Sequence, residues 1–132
     1  MVSADLEPIW RESRRLTGPS LFLDQPGVVL EVPLAEDRAE ALIAAWQERL
    51  AAMRAAIGWP DRPVGVRRFP GGASLAFEAP PDALYAATRI NEWAVEAALG
   101  GAMPLPAAAA SIGAEIAAEQ NPALRALAAE AQ

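Results

Sequence analysis

The most constraining feature of this sequence is a long helical pattern that lies between two strand-like segments. Over residues 37–57 the larger apolar residues recur every three or four positions, which is the repeat of one face of an α-helix. The stripe comprises Ala39, Leu42, Ile43, Trp46, Leu50, Met53 and Ile57. Gly58, followed by Pro60, predicts the end of this helix. We expect the stripe to pack on a sheet, and a partner-binding helix is the alternative.

The polar residues of the same segment predict where the helix begins and which side faces solvent. Asp37 is the predicted N-cap, with Glu40 placed to complete a capping box. The residues expected on the exposed faces are Arg38, Glu40, Gln47, Glu48, Arg49 and Arg54.

Three short segments have the composition of β-strands. Residues 28–34 are rich in β-branched side chains, with Pro33 near their end. Residues 64–69 and 73–78 flank the turn at 70–72, so they predict a hairpin. The second of these alternates larger apolar with small or polar residues, as a sheet with one covered face requires.

The remaining segments predict further helices. A second amphipathic helix is expected over residues 81–99, ended by Gly100, and a short helix around Pro8 is expected within residues 1–16. Alanine accounts for 32 of the 132 residues and dominates the C-terminal part. Residues 107–119 therefore predict a helix with few large apolar anchors, and Asn121-Pro122 opens a last one.

The order of the elements predicts an α+β fold, namely a two-layer α/β sandwich. Its sheet is mainly antiparallel, the order is β-α-β-β-α with both main helices on one face, and an extra helical segment follows at the C-terminus. The ferredoxin-like folds are the nearest named architecture. We expect residues 1–101 to form the sandwich domain and residues 102–132 to form an Ala-rich tail or linker, which either lies on the domain or leads into something else.

Missing residue types exclude several kinds of chemistry. The chain has no Cys, no His and no Lys, so it has no disulfide, no His-based catalytic triad, no imidazole metal site and no phosphate-loop lysine. The formal net charge of −6 disfavours binding to nucleic acid or to an anionic membrane. No apolar run approaches the roughly 20 residues of a membrane span, and the acidic N-terminus is unlike a signal peptide, so we expect a cytoplasmic protein.

Two arginine pairs beside glycine-containing turns are the first candidate binding site. Guanidinium groups bind carboxylate or phosphate through paired hydrogen bonds, and glycine allows close approach to the backbone. The candidate substrate-binding residues are Arg14, Arg15, Thr17, Gly18, Ser20, Arg67 and Arg68. The alternative is that these arginines pair with surface carboxylates. Because neighbouring residues of a strand point to opposite faces, Arg67 and Arg68 share one site only if the strand bulges.

Two further candidates involve carboxylates and an aromatic side chain. Glu92 and Glu96 lie four positions apart on the second predicted helix, with Arg89 one turn earlier, so they could act in acid–base chemistry or hold Mg²⁺. A solvated helix face with a weak Arg89 contact is the alternative. Trp59 lies in a predicted loop, where it could cap the edge of the core or offer a binding surface.

Residues 14–22 contain a Thr17-Gly18-Pro19 turn that precedes the predicted strand at 28–32. This block, together with residues 65–68, 75–78 and the tail segment 121–124, resembles the N-terminal domain of cyanophycin synthetases and related Mur-ligase-like proteins. Ser20 stands where the family usually has Asn, and the His-containing helix of cyanophycin synthetases is absent. The order of elements also resembles pterin-4a-carbinolamine dehydratases, whose site needs His residues.

The ligase resemblance implies a function for this chain. It would be a non-catalytic domain or subunit that binds a peptide or amino-acid polymer beside the catalytic domain of an ATP-dependent amide ligase. ATP and Mg²⁺ would bind in a neighbouring domain, with no cofactor or metal in this chain. The alternative is a homo-oligomeric interaction module. In that case we expect a homodimer, in which the open sheet face and the Ala-rich helices of one copy are buried against the other. A third hypothesis is that the chain is a small enzyme that uses only carboxylate and Arg chemistry.

Overall fold

A four-stranded antiparallel sheet carries three helices on one face, as a computed structural model shows for residues 12–17, 20 and 23–120. The strands are β1 (Glu12–Leu16), β2 (Gly27–Pro33), β3 (Val64–Phe69) and β4 (Gly72–Glu78). The helices are α1 (Ala39–Ile57), α2 (Leu84–Ala98) and α3 (Leu105–Gln120). The predicted α+β class and the two-layer α/β sandwich are confirmed.

The strand order is β1-β2-β4-β3, so β4 is inserted between two strands that precede it in the sequence. The chain leaves β2, crosses the sheet through α1 and returns as β3, and the β3–β4 hairpin then brings β4 against β2. Since β2 and β3 are each antiparallel to β4, they run parallel to one another. This is the split β-α-β arrangement that the order of elements predicts.

The first strand corrects the expected N-terminal helix. Residues 12–16 pair with β2 in an antiparallel register in which Arg14 lies opposite Val29 and Arg15 opposite Val28. This segment has no helical stripe of its own, and the backbone groups along the free edge of β2 give it hydrogen-bond partners as a strand. The rest of the expected helix, residues 1–11, and the last helix predicted from Asn121 lie outside the described residues.

The ends of α1 agree with the sequence at one terminus and differ at the other. Gly58 has φ of 78°, its N–H bonds the carbonyl oxygen of Ala55, and the Trp59 N–H bonds that of Arg54. These are the two hydrogen bonds of a Schellman motif, so the predicted stop is confirmed. The predicted Asp37 cap is wrong, because Asp37 lies in a 3-10 turn (Glu36–Arg38) and no side chain caps α1.

The core lies between the helices and the β2–β4 pair. Its largest fully buried side chains include Trp46, Leu50, Met53, Leu75, Phe77 and Ile90. A polar bridge crosses this apolar layer: the Trp46 indole N–H donates to Asn91 Oδ1 at 2.7 Å, and Asn91 Nδ2 donates to the Leu75 carbonyl oxygen at 3.0 Å. One amide therefore joins α1, α2 and β4.

The sheet face opposite the helices is not fully open. Val29 and Ala76 lie on it, yet they are 1% and 0% exposed, because Leu23 and Leu16 pack over them as a second small cluster. Ser74, predicted on the solvent side of β4, is buried as well. The central position of β4 and its small side chains on this face explain why both of its faces are covered.

The third helix completes the helical layer. Ala108, Ile112 and Ile116 of α3 are buried in the main core. Polar contacts hold the same helix, since Gln120 Nε2 donates to Asp82 Oδ1 at 2.9 Å and Arg89 Nη1 to Glu115 Oε1 at 2.8 Å. Residues 105–120 thus share the core of the sandwich, whereas the tail beyond Gln120 lies outside the described residues.

Candidate functional site

A pocket of about 330 Å³ opens at the end of the sheet where β1 and β4 finish and β2 and β3 begin. We call it the Trp59 pocket, after the indole in its wall. The residues that define it here are Pro26, Trp59, Pro60, Arg62, Glu78 and Pro80. They come from three separate segments, and each segment lies directly beside the end of a strand. A pocket of this volume matches a small ligand of one or two amino-acid residues.

Local sequence explains why this pocket is preformed. The Schellman motif after α1 turns the chain so that Trp59 and Pro60 pass over the end of the sheet. The Ala79 N–H bonds the carbonyl oxygen of Pro26 at 3.0 Å, which ties the end of β4 to the beginning of β2. The proline rings fix φ in all three segments, so the walls have few conformations to lose when a ligand binds.

A buried arginine supports one wall of the pocket. Arg54 is only 3% exposed, so the prediction that it lies on an exposed face of α1 is wrong. The side chain folds under the following loop, where Nη1 donates to the Arg62 carbonyl oxygen at 2.8 Å and lies 3.4 Å from Asp61 Oδ1. The guanidinium carbon lies 5.1 Å from the centroid of the Phe77 ring. Arg54 therefore anchors residues 59–62 from below.

The electrostatics of Arg54 are those of a poorly solvated cation. Burial lowers the pKa of the guanidinium, and the negative charges of Asp61 and Glu78 act in the opposite direction. Its Nη2 atom is buried and has no hydrogen-bond partner within the described residues. The Glu78 carboxylate therefore lies close enough to the poorly hydrated Arg54 guanidinium to stabilise its positive charge.

The Trp59 pocket offers three kinds of contact to a ligand. Glu78 is half-buried, and its carboxylate makes no hydrogen bond or ion pair within the described residues. Arg62 is exposed at the pocket, and Trp59 presents a half-buried indole. A carboxylate binds an ammonium group, a guanidinium binds a carboxylate, and an indole contacts aliphatic or cationic groups. The set suits a zwitterionic ligand.

The two predicted arginine pairs lie on opposite edges of the sheet. Arg14 and Arg15 belong to β1 and Arg67 and Arg68 to β3, so two strands separate them, and the edges are about 14 Å apart. Within each pair the side chains divide between the two faces of the sheet, as the alternation of a strand requires. The structure thus does not bring the two pairs together.

The pairs differ in their contacts on the helical side. Arg15 stacks on Tyr85 with its guanidinium carbon 4.2 Å from the ring centroid, beside an open groove on α2 and α3. Arg68 Nη2 donates to Glu36 Oε2 at 3.0 Å, which is the surface ion pairing that the alternative interpretation predicts.

Of the predicted site residues 17–20, Thr17 and Ser20 lie within the described residues. Thr17 follows β1 directly, and the Ser20 Oγ accepts a hydrogen bond from the Leu23 N–H at 3.2 Å. Neither residue lines the Trp59 pocket. Gly18 lies outside the described residues.

The carboxylates of α2 form a separate, smaller feature. Glu92 and Glu96 line a cavity of about 150 Å³ together with Trp93. Burial raises the pKa of Glu92, Arg89 lowers it, and the charge of Glu96 raises it further. Arg89 itself pairs with Glu115 on α3. Across the described residues no three acidic side chains converge as a metal site would need.

Comparison with known proteins adds no family. No protein-family model, curated protein or solved structure matches this chain. Among the described residues, no helix combines the length and the apolar character that crossing a membrane requires.

Proposed function

We propose that this chain is a non-catalytic peptide-binding domain or subunit that works with an ATP-dependent amide ligase of the Mur-ligase-like class. The observation that carries the binding function is the Trp59 pocket, where Glu78, Arg62 and Trp59 surround a volume suited to one or two residues. The association with a ligase rests on the resemblance of the block around Thr17-Gly18-Pro19. ATP and Mg²⁺ would then bind in the neighbouring catalytic domain.

The chemistry of the pocket defines the ligand. Glu78 would receive the free ammonium group of a peptide, and Arg62 at the pocket would bind its carboxylate. The indole of Trp59 would cover the aliphatic part of the first side chain. The predicted contacts at Arg14, Arg15, Thr17, Gly18 and Ser20 would serve the part of a longer chain that extends beyond the pocket. Arg67 and Arg68, also predicted as substrate contacts, lie on the opposite edge of the sheet.

Calorimetric titration with dipeptides tests the pocket. Dipeptides with free termini should bind, and the same dipeptides with an acetylated amino terminus should lose at least tenfold in affinity, because Glu78 loses its ammonium partner. Glu78→Gln and Trp59→Ala should each weaken binding by a similar factor. Glu48→Gln and Arg49→Gln, which remove exposed charges of α1, are the matched controls.

Two results would contradict the proposal. If no dipeptide of any charge binds, the pocket is not a peptide site. If Glu78→Gln and Trp59→Ala leave the affinity unchanged while Arg15→Ala with Arg67→Ala abolishes it, the ligand binds at the arginine pairs instead. The ligase association is tested separately by the coding sequence downstream of Gln132 and in neighbouring genes. A nucleotide-binding loop there supports it, and absence of any ligase sequence contradicts it.

A further inference from the structure

The outer edge of the sheet, formed by β3, begins beside the Trp59 pocket. Trp59, Pro60 and Arg62 belong to the segment that leads into Val64, the first residue of β3. Within the described residues β3 pairs only with β4, so its other edge carries backbone groups that no strand satisfies. A free edge of this kind accepts an extended peptide through main-chain hydrogen bonds.

The register identifies which backbone groups point outward. Phe69 and Gly72 close the hairpin across Pro70 and Gly71, where Gly71 has φ of 85°. A two-residue turn makes this closing pair hydrogen-bonded, and hydrogen-bonded pairs then alternate along the ladder. It follows that Val64, Val66 and Arg68 direct their N–H and C=O groups away from β4. Pro63 and Pro70, which donate no N–H, bound this edge at both ends.

The charge of the edge selects its partner. Arg67 lies on the sheet face opposite the helices and Arg68 on the helical side, and both are exposed. The two cannot converge on one compact ligand, but successive side chains of an added strand also alternate between the two faces. A peptide with two adjacent acidic residues would thus place one carboxylate beside each guanidinium. A second copy of this chain would instead bring two further arginines to the same edge.

From these observations we infer that β3 binds an extended acidic segment of a partner protein as a fifth strand. The inference rests on the proposed peptide-binding function and extends it from the pocket to the neighbouring edge. Arg67 and Arg68 would pair with adjacent acidic side chains, and Val64, Val66 and Arg68 would supply the main-chain hydrogen bonds. The Glu36 carboxylate, 3.0 Å from Arg68, would compete with the peptide for that guanidinium.

Amide exchange measured by NMR tests the strand addition. The probe is a hexapeptide of Val and Thr with two central Asp residues, acetylated and amidated so that it offers no free terminus to the pocket. It should protect the amides of Val64, Val66 and Arg68, which have no strand partner on this edge within the described residues. An analogue methylated on alternate backbone nitrogens keeps the charges and removes the donors, so it should not bind.

Variants test the charge requirement. The double variant Arg67→Gln/Arg68→Gln should bind the hexapeptide with about tenfold lower affinity. The control double variant Arg38→Gln/Arg49→Gln should keep the parent affinity. Glu36→Gln frees Arg68 and should strengthen binding two- to threefold. Equal binding of the methylated peptide, absence of protection on β3, or a dimer of this chain paired through β3 would each overturn the inference. Since the blocked hexapeptide and the free dipeptides use different sites, failure at β3 leaves dipeptide binding in the Trp59 pocket intact.

Discussion

Asn91 accepts a 2.7 Å hydrogen bond from the Trp46 indole and donates a 3.0 Å hydrogen bond to the carbonyl oxygen of Leu75. Trp46 and Asn91 are 0% and 1% exposed, so water cannot replace either bond. The amide thus fixes how α1 and α2 sit on the central strand, at the middle of an otherwise apolar layer.

Replacing Asn91 should destabilise the fold strongly. Asn91→Leu removes both bonds and leaves the Trp46 N–H buried without an acceptor, so we expect a loss of about 2–4 kcal/mol in the free energy of unfolding. Urea denaturation followed by tryptophan fluorescence measures it. Thr88→Val is the control, since the only hydrogen bond of the Thr88 hydroxyl within the described residues goes to Leu84 of its own helix, and it should cost less than about 1 kcal/mol. Equal losses would argue against the bridge.

Arg54 should affect the pocket more than the stability. Replacing a poorly compensated buried charge by an apolar side chain of similar length is often neutral, so Arg54→Met should change the free energy of unfolding by less than about 1 kcal/mol. The same change releases the Arg62 carbonyl group, so dipeptide affinity in the Trp59 pocket should fall. Asp61→Asn is the control, because the Asp61 side chain is 90% exposed. A strongly destabilised Arg54→Met protein would contradict this view of Arg54.

Glu119 should hold α3 against the start of α2. Its two carboxylate oxygens accept hydrogen bonds from the N–H groups of Tyr85 and Ala86 at 3.1 and 3.0 Å. These N–H groups belong to the first turn of α2, where the helix itself supplies no acceptor. Glu119→Ala should cost about 1 kcal/mol, as loss of a helix cap does, and salt should weaken the contribution. Glu115→Ala breaks only an exposed ion pair and should cost less than about 0.5 kcal/mol. Chemical denaturation of both variants at low and high salt measures the two losses in the free energy of unfolding.

Glu92 should make stability depend on pH. Because burial raises its folded-state pKa above the unfolded value, the folded chain binds this proton more tightly. The resulting stabilisation is complete below the unfolded pKa of about 4.3 and is lost as pH rises through the folded pKa. Glu92→Gln stays neutral throughout, so its free energy of unfolding relative to the parent should increase from pH 3 to pH 7. A constant difference would contradict the raised pKa.

Two glycines should respond oppositely to alanine. A Cβ at Gly27 would overlap the carbonyl oxygen of Phe77 and the Leu23 side chain, so Gly27→Ala should lower stability by more than about 2 kcal/mol. A Cβ at Gly113, within α3, would meet nothing within 4 Å, so Gly113→Ala should raise stability by about 0.5–1 kcal/mol. Thermal unfolding of both variants measures the contrast, and a destabilising Gly113→Ala would show that this part of α3 is packed differently.

Periodicity predicted the elements that bury a regular stripe. The repeat from Ala39 to Ile57, the hairpin across Gly71 and the stop at Gly58 are local signals, and the structure agrees with all three. The strand at 12–16 could not be found in this way, because Glu-Ser-Arg-Arg-Leu has neither alternation nor β-branched residues. It forms where β2 offers an edge, which is a property of the assembled sheet.

The candidate pocket was harder to predict than the fold. Trp59 is a large aromatic residue in a predicted loop, which makes it a candidate, but no local pattern connects it to Glu78 or Pro26. Their proximity depends on three strand ends meeting at one end of the sheet. The burial of Arg54 depends likewise on the loop that follows its helix, whereas the helical stripe alone placed it in solvent.

The inserted position of β4 also determines how the chain can reach this structure. The central pairing of Leu30 with Leu75 joins positions roughly 45 residues apart, whereas the β3–β4 hairpin closes over a two-residue turn. The β3–β4 hairpin can form early, but the sheet is complete only after α1 has packed on the sheet and β4 has paired with β2. Such nonlocal pairing slows folding relative to helical proteins of similar size. The rate-limiting step should therefore be the closure of this long loop, and substitutions at Leu30 or Leu75 should slow refolding more than substitutions in the β3–β4 turn.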